Sequence, residues 1–171
     1  MIKPLFGKTP MIGAGVFVAE TAAIIGDVQI GESSSVWYGT VIRGDDMPIR
    51  IGARTSLQDN TVVHVTAGRY GTSIGSDCTV GHNAIIHACV VEDQCLIGMG
   101  SIILDGATIG RGSLVGAGAL VTPGTEVPPG SLVVGSPAKV KRPVNEKERE
   151  QILYGAAHYV ELARRYLAET R

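Results

Sequence analysis

Residues 91–121 read VEDQCLIGMGSIILDGATIGRGSLVGAGALV, and an aliphatic side chain returns at every sixth position: Val91, Ile97, Ile103, Ile109, Val115 and Val121. An α-helix repeats its faces every three to four residues, so it cannot sustain this period. Outward from this stretch the series continues to Val127 and Val133. It also runs back through Ile86, Val80 and Ile74 to Val63, Leu57 and Ile51, and then from Ile42 to Ile12 by way of Val36, Ile30, Ile24 and Val18. Two insertions interrupt it, after Ile42 and after Val63, and the step from Ile86 to Val91 is one residue short. The fourth residue after each aliphatic is small, as at Ala22, Ser34, Thr40, Cys78, Ala84, Cys95, Ser101 and Ala107. The residue directly after it is often glycine, as at Gly31, Gly52, Gly75, Gly98 and Gly110.

So long a run at one period marks a repeat architecture rather than a globule. It resembles the hexapeptide repeat of left-handed parallel β-helices, in which each hexapeptide forms one flat side of a triangular prism and three make a coil. The resemblance covers roughly residues 11–137. It implies a mainly β fold whose stacked aliphatics fill the prism, with coils about 4.8 Å apart, the spacing of paired strands. Cys78 and Cys95 occupy the small slot and read as core filler. SPAKVKRP, residues 136–143, reads as the exit from the prism. Asn145 and Glu148 then fit a helix start. Ile152, Ala156, Tyr159, Val160, Ala163 and Leu167 follow at helical spacing. The expected organisation is a left-handed β-helix over 1–144 and a C-terminal helix packed along it over 145–171.

Composition agrees and narrows the function. Aromatics are 5% of the 171 residues although 44% are hydrophobic, so the core is aliphatic, and 23 glycines supply tight turns. A formal net charge of -1 gives no electrostatic reason to expect nucleic acid or an anionic membrane as partner. No apolar run is long enough to span a bilayer, and MIKPLFGKTP lacks the apolar core of a signal peptide, so a cytoplasmic protein is expected. Three cysteines without a CxxC support neither a disulfide framework nor a cysteine zinc knuckle.

The histidines stand out against this regularity. Plain counting puts His64 and His82 one coil apart. If the second insertion is instead read as a five-residue loop within HVTAGRYGTS, residues 64–73, then His64 and His87 share one outward column, with Arg43 above them. Trp37 and Gln58 hold the same slot on the next side, and Asp59 and His82 follow one position later. Surface or interface histidines explain any one of these. A metal explains the cluster, since unpaired imidazoles stacked this closely repel once protonated. His82 projects from another side, so a shared metal requires a neighbouring subunit to present it, and a triangular prism suits a threefold ring. His158, on the tail helix outside the column, reads as a surface residue, and Trp37 as interface packing.

At these residues the likeness becomes specific. VIRGDD (41–46), LQDN (57–60), His64, GHNAIIH (81–87) and HYVELARRY (158–166) resemble the motif set of the γ-class carbonic anhydrases and their close relatives. The resemblance implies a homotrimer binding zinc, or sometimes iron or cobalt, through His64, His82 and His87. The first and third come from one subunit and the second from its neighbour. It implies Gln58 as the group that orients the attacking hydroxide, Arg43, Asp45 and Asp59 as an ion-pair group near the site and interface, and Tyr159 as a pocket wall. The expected reaction is hydration of CO₂ to bicarbonate. The residues 65–73 contain no Asp or Glu, so Asp46 is the nearby candidate for carrying the proton away. Two other readings stay open: a hexapeptide acyltransferase or thioesterase acting on a coenzyme A substrate, with basic residues of AKVKR at the prism end, and a non-catalytic trimer stabilised by a structural metal.

Overall fold

The computed structural model describes residues 1–169; residues 170 and 171, the end of the expected helix, lie outside the described residues. The chain winds into a left-handed parallel β-helix of about 7 turns and ends in one α-helix, Glu146–Glu169. Most strands are two or three residues long, because each flat side must reach a corner within six residues. Ser56–Leu57, for example, pairs in parallel with Ser35–Val36 above it and Thr79–Val80 below it. Two longer strands, Ala23–Ile30 and Val41–Ile51, run round a corner and join two sides of the prism into one 12-stranded sheet. The third side is an 8-stranded sheet.

The period-six aliphatics from Ile24 to Val133 are all buried, while Ile12 and Val18 at the open end are half-buried. The small slot fills the corners behind them: Thr40, Thr61, Cys78, Ala84, Cys95, Ser101 and Ala107 have no accessible surface. The glycine slot has a steric cause. A Cβ at Gly52 would lie 2.5 Å from the Ser76 nitrogen on the next coil. The third residue after the aliphatic turns the corner with positive φ, as at Asn60 (59°), Asn83 (58°) and Gly112 (69°). Asn and Gly adopt that region at little cost. The shortened step after Ile86 moves the turn to Ala88 (φ 51°), and Cys89 is buried in that corner. Burial pushes the Cys89 thiol up to about 12, so it is an inert core residue.

Both ends carry pairing outside the periodic stretch. The prism begins before residue 11, since Ile2–Lys3 pairs in parallel with Ile24–Ile25. The segment expected to leave the prism turns back instead: Ala138–Pro143 pairs antiparallel with Ser131–Gly135 and covers the last coil's edge. The helix then runs back over the third side, touching Phe17–Val18, Ser35–Val36, Ser56–Leu57 and Thr79–Val80. Ile152, Ala156 and Ala163 are its buried residues. Trp37 is corrected by this docking. It is 5% exposed within the one chain, packed tilted or edge-on against Phe17, Tyr159 and Tyr166, and its Nε1–H donates to Ser35 and Ser56.

The helix starts with a reciprocal cap. The Glu148 N–H donates to Asn145 Oδ1 at 2.9 Å, and the Asn145 N–H donates to Glu148 Oε2 at 2.8 Å. Asn145→Ala is expected to lower stability by about 1 kcal/mol and to increase amide exchange in the first helical turn, read by hydrogen exchange.

Candidate metal centre

The two insertions build the site. Without the first, Ile42 and Ile51 would be six residues apart. The extra residues form a bulge between Gly44, which pairs with Gly26, and Ile49, which pairs with Val28. Asp45 lies on that bulge and accepts from Arg43 Nη1 and, at 3.1 Å, from His64 Nε2. The second insertion follows His64 directly. It is closed by the Thr66–Tyr70 bridge, and its Thr66 hydroxyl donates to Asp105. Just beyond it, the Thr72 hydroxyl donates to the His64 carbonyl.

His64 and His87 are Cα partners on adjacent parallel strands, Val62–His64 and Ile85–His87. Their sequence separation is 23, one coil plus the insertion. Arg43 stands one coil above, because Ile42 pairs with Val63. The rings face each other with His64 Nδ1 3.2 Å from His87 Nε2. Each ring's other nitrogen rests on a carboxylate: His64 Nε2 on Asp45, and His87 Nδ1 on Asp105 at 2.7 Å. In neutral rings those outer nitrogens carry the hydrogens, so both facing nitrogens present lone pairs. With that tautomer, the two facing nitrogens are placed as a pair of donors to one shared ion.

The carboxylates are held in their charged form. For Asp45, burial acts upward, and it is outweighed by hydrogen bonds from its backbone and His64 with the Arg43 charge, so the carboxyl lies below its ordinary value. For Asp105, the Thr66 hydroxyl is the largest cause of a lowered value, with His87 adding to it against burial.

His82 occupies the neighbouring side, 40% exposed at its side chain, with Nδ1 2.8 Å from Asp59. Asp59 therefore serves His82, while Arg43 is paired with Asp45 in the same chain. Gln58 is buried beside them and lines one cavity with Tyr159 from the helix. Burial, then the nearby Asp59 charge, raises the Tyr159 hydroxyl above its ordinary value, with the Gln58 side chain opposing. Asp46 is exposed on the bulge. Among the described residues no three His, Cys, Asp or Glu side chains of one chain group closely enough to hold a metal, so His64 and His87 form a pair without His82. His158 is exposed, as expected, but it lines the same cavity as His82, Gln58 and Tyr159. At the prism end, Arg142 of AKVKR is committed to Glu148 at 2.7 Å and 2.8 Å.

Asp105 is the residue that sequence reasoning missed. It lies 18 residues after His87, one regular coil, and that spacing was the available signal. A carboxylate behind a ligating imidazole fixes its tautomer and raises its basicity. Asp105→Asn is therefore expected to weaken metal affinity about 10–100-fold without loss of fold, measured by competition with a chromogenic chelator.

Comparison with known proteins accords with the repeat. A family model described as bacterial transferase hexapeptide (six repeats) matches residues 88–123, and one described as hexapeptide repeat of succinyl-transferase matches 48–88. The chain is 48% identical over 168 residues to a carbonic anhydrase of Geobacillus kaustophilus, covering 98% of this chain and 92% of that one. It is 44% identical over 170 residues to mitochondrial gamma carbonic anhydrase 2 of Arabidopsis thaliana, covering 96% of this chain and 61% of the relative, so it spans about three fifths of the plant protein's length. A Bacillus cereus structure described as a putative acetyltransferase superposes with a TM-score of 0.95 at 44% identity, over 97% of this chain and 96% of that one. With this identity over nearly the whole chain, the chain belongs to the γ-carbonic anhydrase family.

Proposed function

We propose that the protein is a carbonic anhydrase that works as a cytoplasmic homotrimer. Each interface would hold one zinc ion through His64 and His87 of one protomer and His82 of the next. Iron or cobalt would suit the same three imidazoles. The observation that carries the reading is the facing pair of ring nitrogens 3.2 Å apart, each ring backed by a carboxylate. Zinc–imidazole bonds of about 2.0–2.1 Å at a tetrahedral angle set neighbouring nitrogens about 3.3 Å apart. The pair thus fits one edge of such a site. His82, half-exposed and backed by Asp59, is the matching third donor for a neighbouring copy.

A bound metal would supply Lewis acidity, lowering the pKa of water to about 7. The chain's own groups do the rest. Asp45, Asp105 and Asp59 fix the tautomer and orientation of the three imidazoles. Gln58, buried beside Tyr159 in the same cavity, would orient the reacting oxygen toward the CO₂ carbon. The net reaction is CO₂ + H₂O → HCO₃⁻ + H⁺. Among the described residues no helix is long and apolar enough to cross a membrane.

The name of the Bacillus cereus structure raises acyl transfer. One base suffices for that chemistry, and it would leave two of the three carboxylate-backed imidazoles unused. The test is CO₂ hydration by metal-stripped protein refilled with Zn²⁺. Recovery of turnover with one metal per chain supports the proposal. A fully metallated trimer without turnover contradicts it and favours a structural metal, and acyl-CoA turnover would favour the transferase.

A further inference from the structure

A cavity of about 650 Å³ lies between the C-terminal helix and the third side of the prism. Gln58, Thr79, His82, Gln151, His158 and Tyr159 line it. We propose that this cavity is the proton exit of the site, with Thr79 holding its water and His158 taking the proton to solvent. The inference rests on the carbonic anhydrase reading above.

Three observations converge. The Thr79 hydroxyl is buried and, among the described residues, has no hydrogen-bond partner. Buried hydroxyls in native proteins are satisfied, so a cavity walled by this one holds water. The helix approaches closely here: a Cβ at Gly155 would sit 3.2 Å from Thr79 Oγ1. One turn on, His158 is fixed at the exposed face of the helix, stacked on Tyr154 (centroids 5.7 Å apart) and edge-on to Tyr159 (5.3 Å). Tyr159 and Gln58, the latter at the reacting end, line the same cavity.

The other titratable groups lining the cavity do not serve. Arg142, with the Asn145 backbone N–H, holds Glu148 at about 2, so it carries no proton near neutral pH. Tyr154 and Tyr159 are phenols, and Tyr159 is raised further. His82 is committed to Asp59. Imidazole is the side chain whose charge changes between pH 5 and 8, and His158 is the remaining one. In each turnover the proton released by CO₂ + H₂O → HCO₃⁻ + H⁺ passes along cavity water to neutral His158. The imidazolium then gives it to a buffer base, restoring the starting state.

The test compares the zinc-loaded wild type with His158→Ala, Thr79→Val and Asp46→Asn in dilute, poorly transferring buffer. His158→Ala is expected to lower kcat at least about tenfold, since a positioned acid or base is worth about 10²–10⁴. It should leave kcat/KM unchanged, and added imidazole should restore kcat. Thr79→Val should lower kcat less, with the same signature. A second readout needs no activity: a high-resolution crystal structure should show water on Thr79 Oγ1 continuing toward His158, absent in Thr79→Val. An unchanged kcat in His158→Ala overturns the proposal, as does a parallel loss of kcat and kcat/KM without imidazole rescue, or a dry cavity. Rescue confined to Asp46→Asn assigns the role to Asp46 and also overturns it. A metal-loaded wild type without any CO₂ hydration overturns the proposed function itself.

Discussion

His82→Ala is expected to lose zinc and CO₂ hydration together while the prism stays folded. His82 projects outward and touches none of the period-six aliphatics, so its removal leaves coil stacking intact. As one of three ligands it should cost more than the roughly 100-fold upper range for deleting an orienting carboxylate. The same loss is expected for His64→Ala. The two variants differ in which half of the site they damage. Mixed in one trimer, a His82→Ala chain still offers its His64 and His87, and a His64→Ala chain still offers its His82. Interfaces that bring those halves together should regain metal and turnover, read as metal content per trimer across mixing ratios. Failure of every mixture to recover would place all three histidines in one chain's site, or His82 in none.

The second large effect concerns stability, and it separates the two sides of one strand. Ile86 is fully buried and His87, its neighbour, points outward. Ile86→Ala should lower stability by about 2–5 kcal/mol, the lost transfer energy plus the cavity left between stacked coils. At about 2–4 °C per kcal/mol for a chain of this size, the melting temperature should fall by roughly 4–20 °C. His87→Ala in metal-free protein should change it by no more than a surface substitution does, about 0.5 kcal/mol. Thermal unfolding of both in chelator decides the matter. Equal losses would contradict the assignment of Ile86 to the interior and His87 to the outer column.

What was legible in the sequence was whatever the six-residue period controls. The buried series from Ile24 to Val133 follows from it, and so does the stacking of Arg43, His64 and His87 once the second insertion is counted as a loop. The Asn145–Glu148 cap was legible because its chemistry is local. What the period does not govern was read less well. Nothing in the repeat says which side the helix covers, and so Trp37 was expected at an interface when it packs under Tyr159 and Tyr166. Ile2–Lys3 lies outside the periodic stretch and pairs through its backbone alone. Ala138–Pro143 reverses direction at a corner where the parallel pattern has ended. Asp105 was visible by spacing yet hidden by type, since its position in ILDG also suits an ordinary turn aspartate. His158 joined the cavity only when the helix was docked.

The central claim is that the metal site is shared between copies of the chain. Anomalous diffraction at the zinc edge from crystals of the zinc-loaded protein tests it most directly. One peak is expected at each interface of a threefold assembly, within about 2.0–2.1 Å of His64 Nδ1 and His87 Nε2 of one protomer and Nε2 of His82 from the next. No peak at that position, or a peak bound only by residues of a single chain, would contradict the account.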